Sequence, residues 1–182
     1  MHRHERRYII GLMVFAANPP DNKVLIGLSN DELRQLAVSE GLPAYRGSQI
    51  ARWIYKMGAR SLEKMSDLPQ SLRDRFQSMY TTGRSTILVR QQSKDGTVKL
   101  LLQLADGETV ETVGLPYEDR LSCCVSTQAG CPVGCAFCAT GQGGFSRNLT
   151  AGEIIDQVLA IQETVNQKQE SSNNRNRPVD HI

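Results

Sequence analysis

The chain has 182 residues, 40% of them apolar and 22% charged, with a formal net charge of +2. That length admits one ordinary domain, or a small domain plus part of another, and the apolar share is enough for a packed core. All five cysteines fall within residues 123–138, which excludes a secreted disulfide scaffold, whose cysteines would be spread out to staple distant segments.

The clustered thiols point instead to metal or redox chemistry in a reducing compartment, and hence to a cytoplasmic protein. Residues 1–80 carry 12 Lys and Arg against 8 Asp and Glu, while the remainder is net acidic. A modestly basic first half suits contact with RNA phosphates, and it equally describes an ordinary solvated helical surface. The first seven residues are basic and residues 8–17 are an apolar run, a superficial likeness to a secretory signal. Ten residues are too few to span a bilayer. Residues 1–22 therefore read as an extension ahead of the folded body.

Beyond the polar break at residues 18–22, Ser29-x-x-Glu32 forms a capping box that opens a helix. Leu33, Leu36 and Ala37 share one face of it, and Gly41 with Pro43 ends it. A second helix is predicted over 47–57, where Ile50, Trp53, Ile54 and Met57 recur at helical spacing before Gly58. Pro69 suits the first turn of a third helix, which carries Leu72, Phe76 and Met79. Trp53 could offer a stacking platform to nucleic acid, but at this spacing it reads as core.

The pattern then turns β-rich. Strands are predicted over 86–90, 97–104, 108–114 and 121–127, with Lys94-Asp95-Gly96 and Asp106-Gly107 as hairpin turns. The first three form a short antiparallel element, and the fourth runs straight into a cysteine loop. A ligand loop after a parallel strand suits a β/α barrel, whose chemistry sits at the C-terminal ends of its strands. Thr150-x-x-Glu153 is a second capping box. Its helix carries Ile154, Val158, Ile161 and Val165 as one apolar stripe, with Ile155 and Leu159 beside it. Residues 167–177 are polar, and 178–182 look like the approach to another strand.

The loop itself reads Gly130-Cys131-Pro132-Val133-Gly134-Cys135-Ala136-Phe137-Cys138, a C-x₃-C-x₂-C array. Three thiolates so spaced can wrap one metal centre. A [4Fe–4S] cluster normally takes four cysteines, so three leave one iron open to a further ligand. The competing readings are a zinc site completed by Cys124 or His181, and a thioredoxin-like pair at Cys135 and Cys138. Zinc usually takes its cysteines as two separated C-x₂-C pairs, and a second pair is not found.

This array, with Phe137 inside it, matches the radical S-adenosylmethionine (SAM) pattern. The longer run from Cys124 through Cys131 to Gly144-Phe145-Ser146-Arg147-Asn148-Leu149 resembles the RlmN branch, the dual-specificity methyltransferases of adenine C2 in 23S rRNA and tRNA. The resemblance extends from about Leu28 to the last residue. It implies an α/β fold with a small N-terminal helical domain (23–84) that helps bind RNA and a short antiparallel β linker element (85–118). These precede the first β/α unit of a truncated radical SAM partial (β/α) barrel (119–182). It implies a [4Fe–4S] cluster on Cys131, Cys135 and Cys138, with S-adenosyl-L-methionine on the open iron. Glu111, in Val110-Glu111-Thr112-Val113, matches the family's proton acceptor. Cys124 matches its transient disulfide partner, so a disulfide bond is expected. Cys123 reads as a small buried hydrophobe, and Arg147 as either a phosphate contact or a surface residue. The implied partners are 23S rRNA, tRNA and an electron donor such as flavodoxin, with no membrane, and the full-length form is expected to be a monomer.

The sequence departs from the family where it matters for turnover. No cysteine follows Cys138, so the methyl-carrying cysteine is absent, and so is the family's Gly-Glu-Pro segment. As written, the chain is expected not to complete the reaction, being a fragment of a longer enzyme or the product of a truncated gene. A lone first strand and helix should leave an exposed sheet edge and an uncovered apolar helix face. The alternatives are a non-catalytic RNA-binding remnant and a Cfr-type enzyme that methylates C8.

Overall fold

The computed structural model describes residues 22–170 and 179–181. The expectations for residues 1–21 and for the polar run over 171–178 therefore fall outside the described residues. The described chain begins with a two-residue strand, β1 (Lys23–Val24), which pairs in parallel with β2 (Tyr80–Thr81) and closes the helical region.

Between them lie α1 (Asn30–Ser39), α2 (Tyr45–Ala51) and α3 (Gln70–Gln77). The first capping box forms as expected: Glu32 N donates to Ser29 Oγ at 3.2 Å, and Ser29 N donates to Glu32 Oε2 at 2.7 Å. Gly47 fixes how closely α1 and α2 meet, since a Cβ there would stand 2.2 Å from Leu33 O. The expected second helix is not uniform. After Ala51 the chain widens into a π-helical turn, Arg52–Lys56, before Met57 N closes back on Arg52 O at 3.0 Å. The apolar period of an α-helix and that of a one-turn π insertion are too alike for so short a run to separate them.

The second half is built on one five-stranded sheet. Its strands are β3 (Thr86–Gln92), β4 (Val98–Gln103), β5 (Thr109–Pro116), β6 (Leu121–Cys124) and β9 (Val179–His181), in the order β3-β4-β5-β6-β9. The first four pair antiparallel and β9 joins β6 in parallel. The β linker and the start of the barrel are thus continuous, because β5 pairs directly with β6. The fourth predicted strand is shorter than expected. It stops at Cys124, and the chain re-forms as β7 (Gln128–Gly130), an antiparallel hairpin partner of β8 (Phe145–Asn148). A short helix, α4 (Ala139–Gln142), lies between them.

The long helix α5 (Ala151–Glu170) packs across β4 and β5 of the sheet. Its apolar residues do not form one face. Leu159 and Ile155 pack into the core of the helical region with Leu33, Ile54 and Phe76. Ala160, Ile161, Ile154, Val158 and Val165 pack against Val98, Leu100, Leu102 and Leu121 of the sheet. The expected uncovered helix face is therefore corrected: α5 is covered on two sides because it is the wall shared by both cores.

Candidate functional site

Strand alternation sorts the site residues. Val110, Thr112, Gly114 and Cys123 turn toward α5, and a Cβ on Gly114 would meet Ile161 Cγ2 at 2.5 Å. The opposite face carries Glu111 and Cys124. Their register partners place them together, since Cys124 lies opposite Val113 and Lys99 lies opposite Val113 on the other side. On that face Lys99 Nζ donates to Glu111 Oε1 at 2.8 Å, both side chains being about half exposed. In a barrel whose helices lie outside, this is the inward face.

Cys123 and Cys124 are adjacent but live in different surroundings. Cys123 is 4% exposed, and its Sγ lies 3.6 Å from Thr112 Oγ1. Burial above all pushes its thiol pKa up, so it behaves as the inert small hydrophobe expected. Cys124 is exposed.

After Cys124 the chain is held by a residue the sequence reading missed. Gln157, fully buried on α5, accepts from Ser126 N and donates to Ser126 O, both at 2.8 Å. A glutamine one position from the apolar stripe was the available signal. Leu149 N donates to Thr127 O at 2.9 Å, so the β7–β8 hairpin grows from a clamped turn.

The thiol loop spans the hairpin. At its root Gly130 has φ +75°, and a Cβ there would lie 2.0 Å from Gly144 O, so only glycine fits. Cys131 N donates to the same Gly144 carbonyl at 2.8 Å, and Cys138 N to Cys135 O at 3.1 Å. Within the loop the usual burial order is inverted. Cys131, Cys135 and Cys138 are half-buried while Val133 and Phe137 are 73% and 93% exposed.

The structure does not bring the three thiols together: among the described residues no group of three His, Cys, Asp or Glu side chains stands close enough to hold a metal ion. That statement applies to the zinc alternative as well. The chemistry of the donor set fits a three-thiolate cluster, and the three thiols are less exposed than the apolar Val133 and Phe137 between them, so the fit lies in composition and burial.

The expected disulfide is corrected. All five cysteines are free thiols. Cys123 and Cys124 are consecutive on a strand and face opposite sides, and the implied partner of Cys124 lies past Cys138, where the sequence has no cysteine.

Arg147 on β8 is committed to carboxylates. Its Nη2 stands 2.7 Å from Asp106 Oδ2 and 2.7 Å from Glu153 Oε1. Hydrogen bonding to Glu153 first, and then to Asp106, raises the guanidinium pKa. The same bond from Arg147 is the leading reason that Glu153 is lowered. Glu153 also accepts from Thr150 N at 2.8 Å, completing the second capping box. Arg147 thus ties the hairpin to α5 and is not a free phosphate contact.

Comparison with known proteins agrees with this layout. Residues 23–81 match the family model described as the ribosomal RNA large subunit methyltransferase N-terminal domain. Over 145 residues the chain is 51% identical to a probable dual-specificity RNA methyltransferase RlmN of Thermosynechococcus vestitus, covering 80% of this chain and 43% of that protein. It is 53% identical over 139 residues to the Synechococcus protein of the same description, covering 76% of this chain and 39% of the relative. A solved radical SAM methyltransferase from Sphaerobacter thermophilus superposes with a TM-score of 0.74 at 38% identity. The match covers 85% of this chain and 44% of that one. The chain spans about two-fifths of the length of these relatives.

Proposed function

Since this chain belongs to the RlmN family, we propose that it supplies the RNA-facing and cluster-holding part of a radical SAM methyltransferase acting on adenine C2 of 23S rRNA and tRNA. The chain spans about two-fifths of the length of its relatives, and the activity is proposed for a protein of their full length, called the whole protein below. One observation carries the reading: Glu111 and Cys124 share the sheet face turned away from α5, on the strands that lead into the thiol loop.

In this reading Cys131, Cys135 and Cys138 hold a [4Fe–4S] cluster. When bound, it supplies the electron that opens a carbon–sulfur bond of S-adenosyl-L-methionine. The chain's own residues do the remaining work. Glu111 takes the proton lost from adenine C2, and Lys99, whose Nζ lies 2.8 Å from Oε1, holds that carboxylate in place on the sheet face. Cys124 presents a free thiol on the same face. Gln157 holds the turn at Ser126, which separates that thiol from the cysteine loop.

The protein is proposed to act in the cytoplasm as a monomer with an electron donor such as flavodoxin; among the described residues no helix is long and apolar enough to cross a membrane. The test is to treat unmodified 23S rRNA and tRNA with the whole protein under anaerobic, reducing conditions and digest the product to nucleosides. The expected product is 2-methyladenosine. An 8-methyl product would assign the Cfr-type chemistry instead, and unmethylated RNA would overturn the reading.

A further inference from the structure

A second cleft lies where α5 meets the chain just after α2, and it shares no lining residue with the thiol loop. Its volume is about 380 Å³, within the range of small-ligand sites. The π-helical turn shapes one wall, carrying Trp53 and Lys56 into the lining, and such turns recur at functional positions. Arg60, Lys64, Glu163 and Asn166 complete the part of the lining that matters here.

The charges do not balance. Lys56, Arg60 and Lys64 face one carboxylate, Glu163. That carboxylate is already taken by Arg60 Nε at 2.9 Å and lies 3.4 Å from Arg84 Nη2. Among the described residues neither Lys56 nor Lys64 is in an ion pair, and both are exposed. Trp53 is half-buried, with its indole Nε1 donating to Asp67, so the ring is fixed at the cleft's edge.

From this conjunction we infer that the cleft is a docking site for one nucleotide unit of single-stranded RNA. Its phosphate lies among Lys56, Arg60 and Lys64, and its base lies against the Trp53 ring. A basic groove beside a fixed aromatic face is the usual way to hold a single strand without reading its sequence. The site rests on the proposed function in that RNA is the substrate. It places an anchor on the joint between the helical region and α5, apart from the thiol loop.

Trp53 is the only tryptophan, so indole emission reports this cleft alone. The 182-residue chain is titrated with a dye-labelled six-nucleotide RNA at low salt, following indole emission and dye anisotropy together. The expected result is saturable quenching whose midpoint matches that of the anisotropy. The double variant K56E/K64E, altering two exposed side chains, should raise both midpoints by about tenfold or more. It should also flatten the salt dependence by roughly one unit of log–log slope, near the ~0.7 expected for each phosphate contact with a single strand. An unchanged thermal midpoint of the variant confirms that it folds. Anisotropy that rises with no change in emission, or an unchanged midpoint in the variant, would put the RNA elsewhere; it would overturn this site and leave the proposed function intact. Equal quenching by inorganic phosphate alone would make the cleft a plain anion site and overturn the inference, as would absence of RNA binding. Methylation by the whole protein is read separately, so failure of that activity is distinguishable from failure of the cleft.

Discussion

Arg84 and Asp156 form an ion pair whose side chains are 1% and 2% exposed, joining the segment ahead of β3 to the middle of α5. Asp156 also accepts from Ser85 N at 2.7 Å, and Arg84 Nη1 donates to Gly58 O at 2.8 Å, so both charges are fully engaged. The pair sits on the seam that α5 makes between the two cores. Removing one partner strands the other charge. Asp156→Asn or Arg84→Met should therefore cost about 3–5 kcal/mol, whereas the double variant R84M/D156L should recover most of that loss. Denaturant unfolding followed by far-ultraviolet circular dichroism reads both.

The bonds from Arg147 and Thr150 to Glu153 give a pH dependence with a definite sign. Glu153 is lowered in the folded protein from its ordinary value of 4.5. Its contribution is fully present above pH 4.5 and is lost as pH falls through the lower, folded-state pKa. Stability measured from pH 6 downward should fall below pH 4.5, and Glu153→Gln should be less stable at pH 6 with a shallower decline.

Gly130 should tolerate no side chain. With φ +75° and Gly144 O 2.0 Å from the position of a Cβ, Gly130→Ala must part the hairpin at the root of the thiol loop. We expect a loss of about 1–3 kcal/mol locally, read as faster amide hydrogen exchange in 128–131 and 144–148. The α1–α2 contact should be unaffected.

The features legible in the sequence are those set by neighbours in the chain. Ser29 with Glu32, and Thr150 with Glu153, announce two helix starts because a capping box is local. The alternation around Glu111 placed it on a strand, and the cysteine spacing marked the loop. What was not legible depends on distant partners. Arg84 and Asp156 are 72 positions apart, and no local pattern pairs them. The stripe Ile154, Val158, Ile161 and Val165 packs on the sheet as one set, but spacing alone cannot say that Ile155 and Leu159 beside it belong to the other core. The strand expected to continue to residue 127 breaks after Cys124, where Gln157 takes the backbone groups of Ser126.

Glu111 and Lys99 are exposed enough that neither should matter to folding. In the whole protein, Glu111→Gln should lower the methylation rate by at least about a hundredfold, the lower range for losing a positioned base, with little change in thermal midpoint. Lys99→Ala, which removes the ion pair that holds the carboxylate in place, should cost less. Single-turnover assays across pH distinguish proton removal from binding.

On the proposed function, Cys131, Cys135 and Cys138 together hold an iron–sulfur cluster. Anaerobic reconstitution with iron and sulfide, followed by metal analysis and Mössbauer spectroscopy, decides whether they do. The expected result is about four irons per chain, the content of a cubane cluster, with that content lost in Cys135→Ser. One zinc per chain, or iron uptake that survives loss of Cys135, would contradict it.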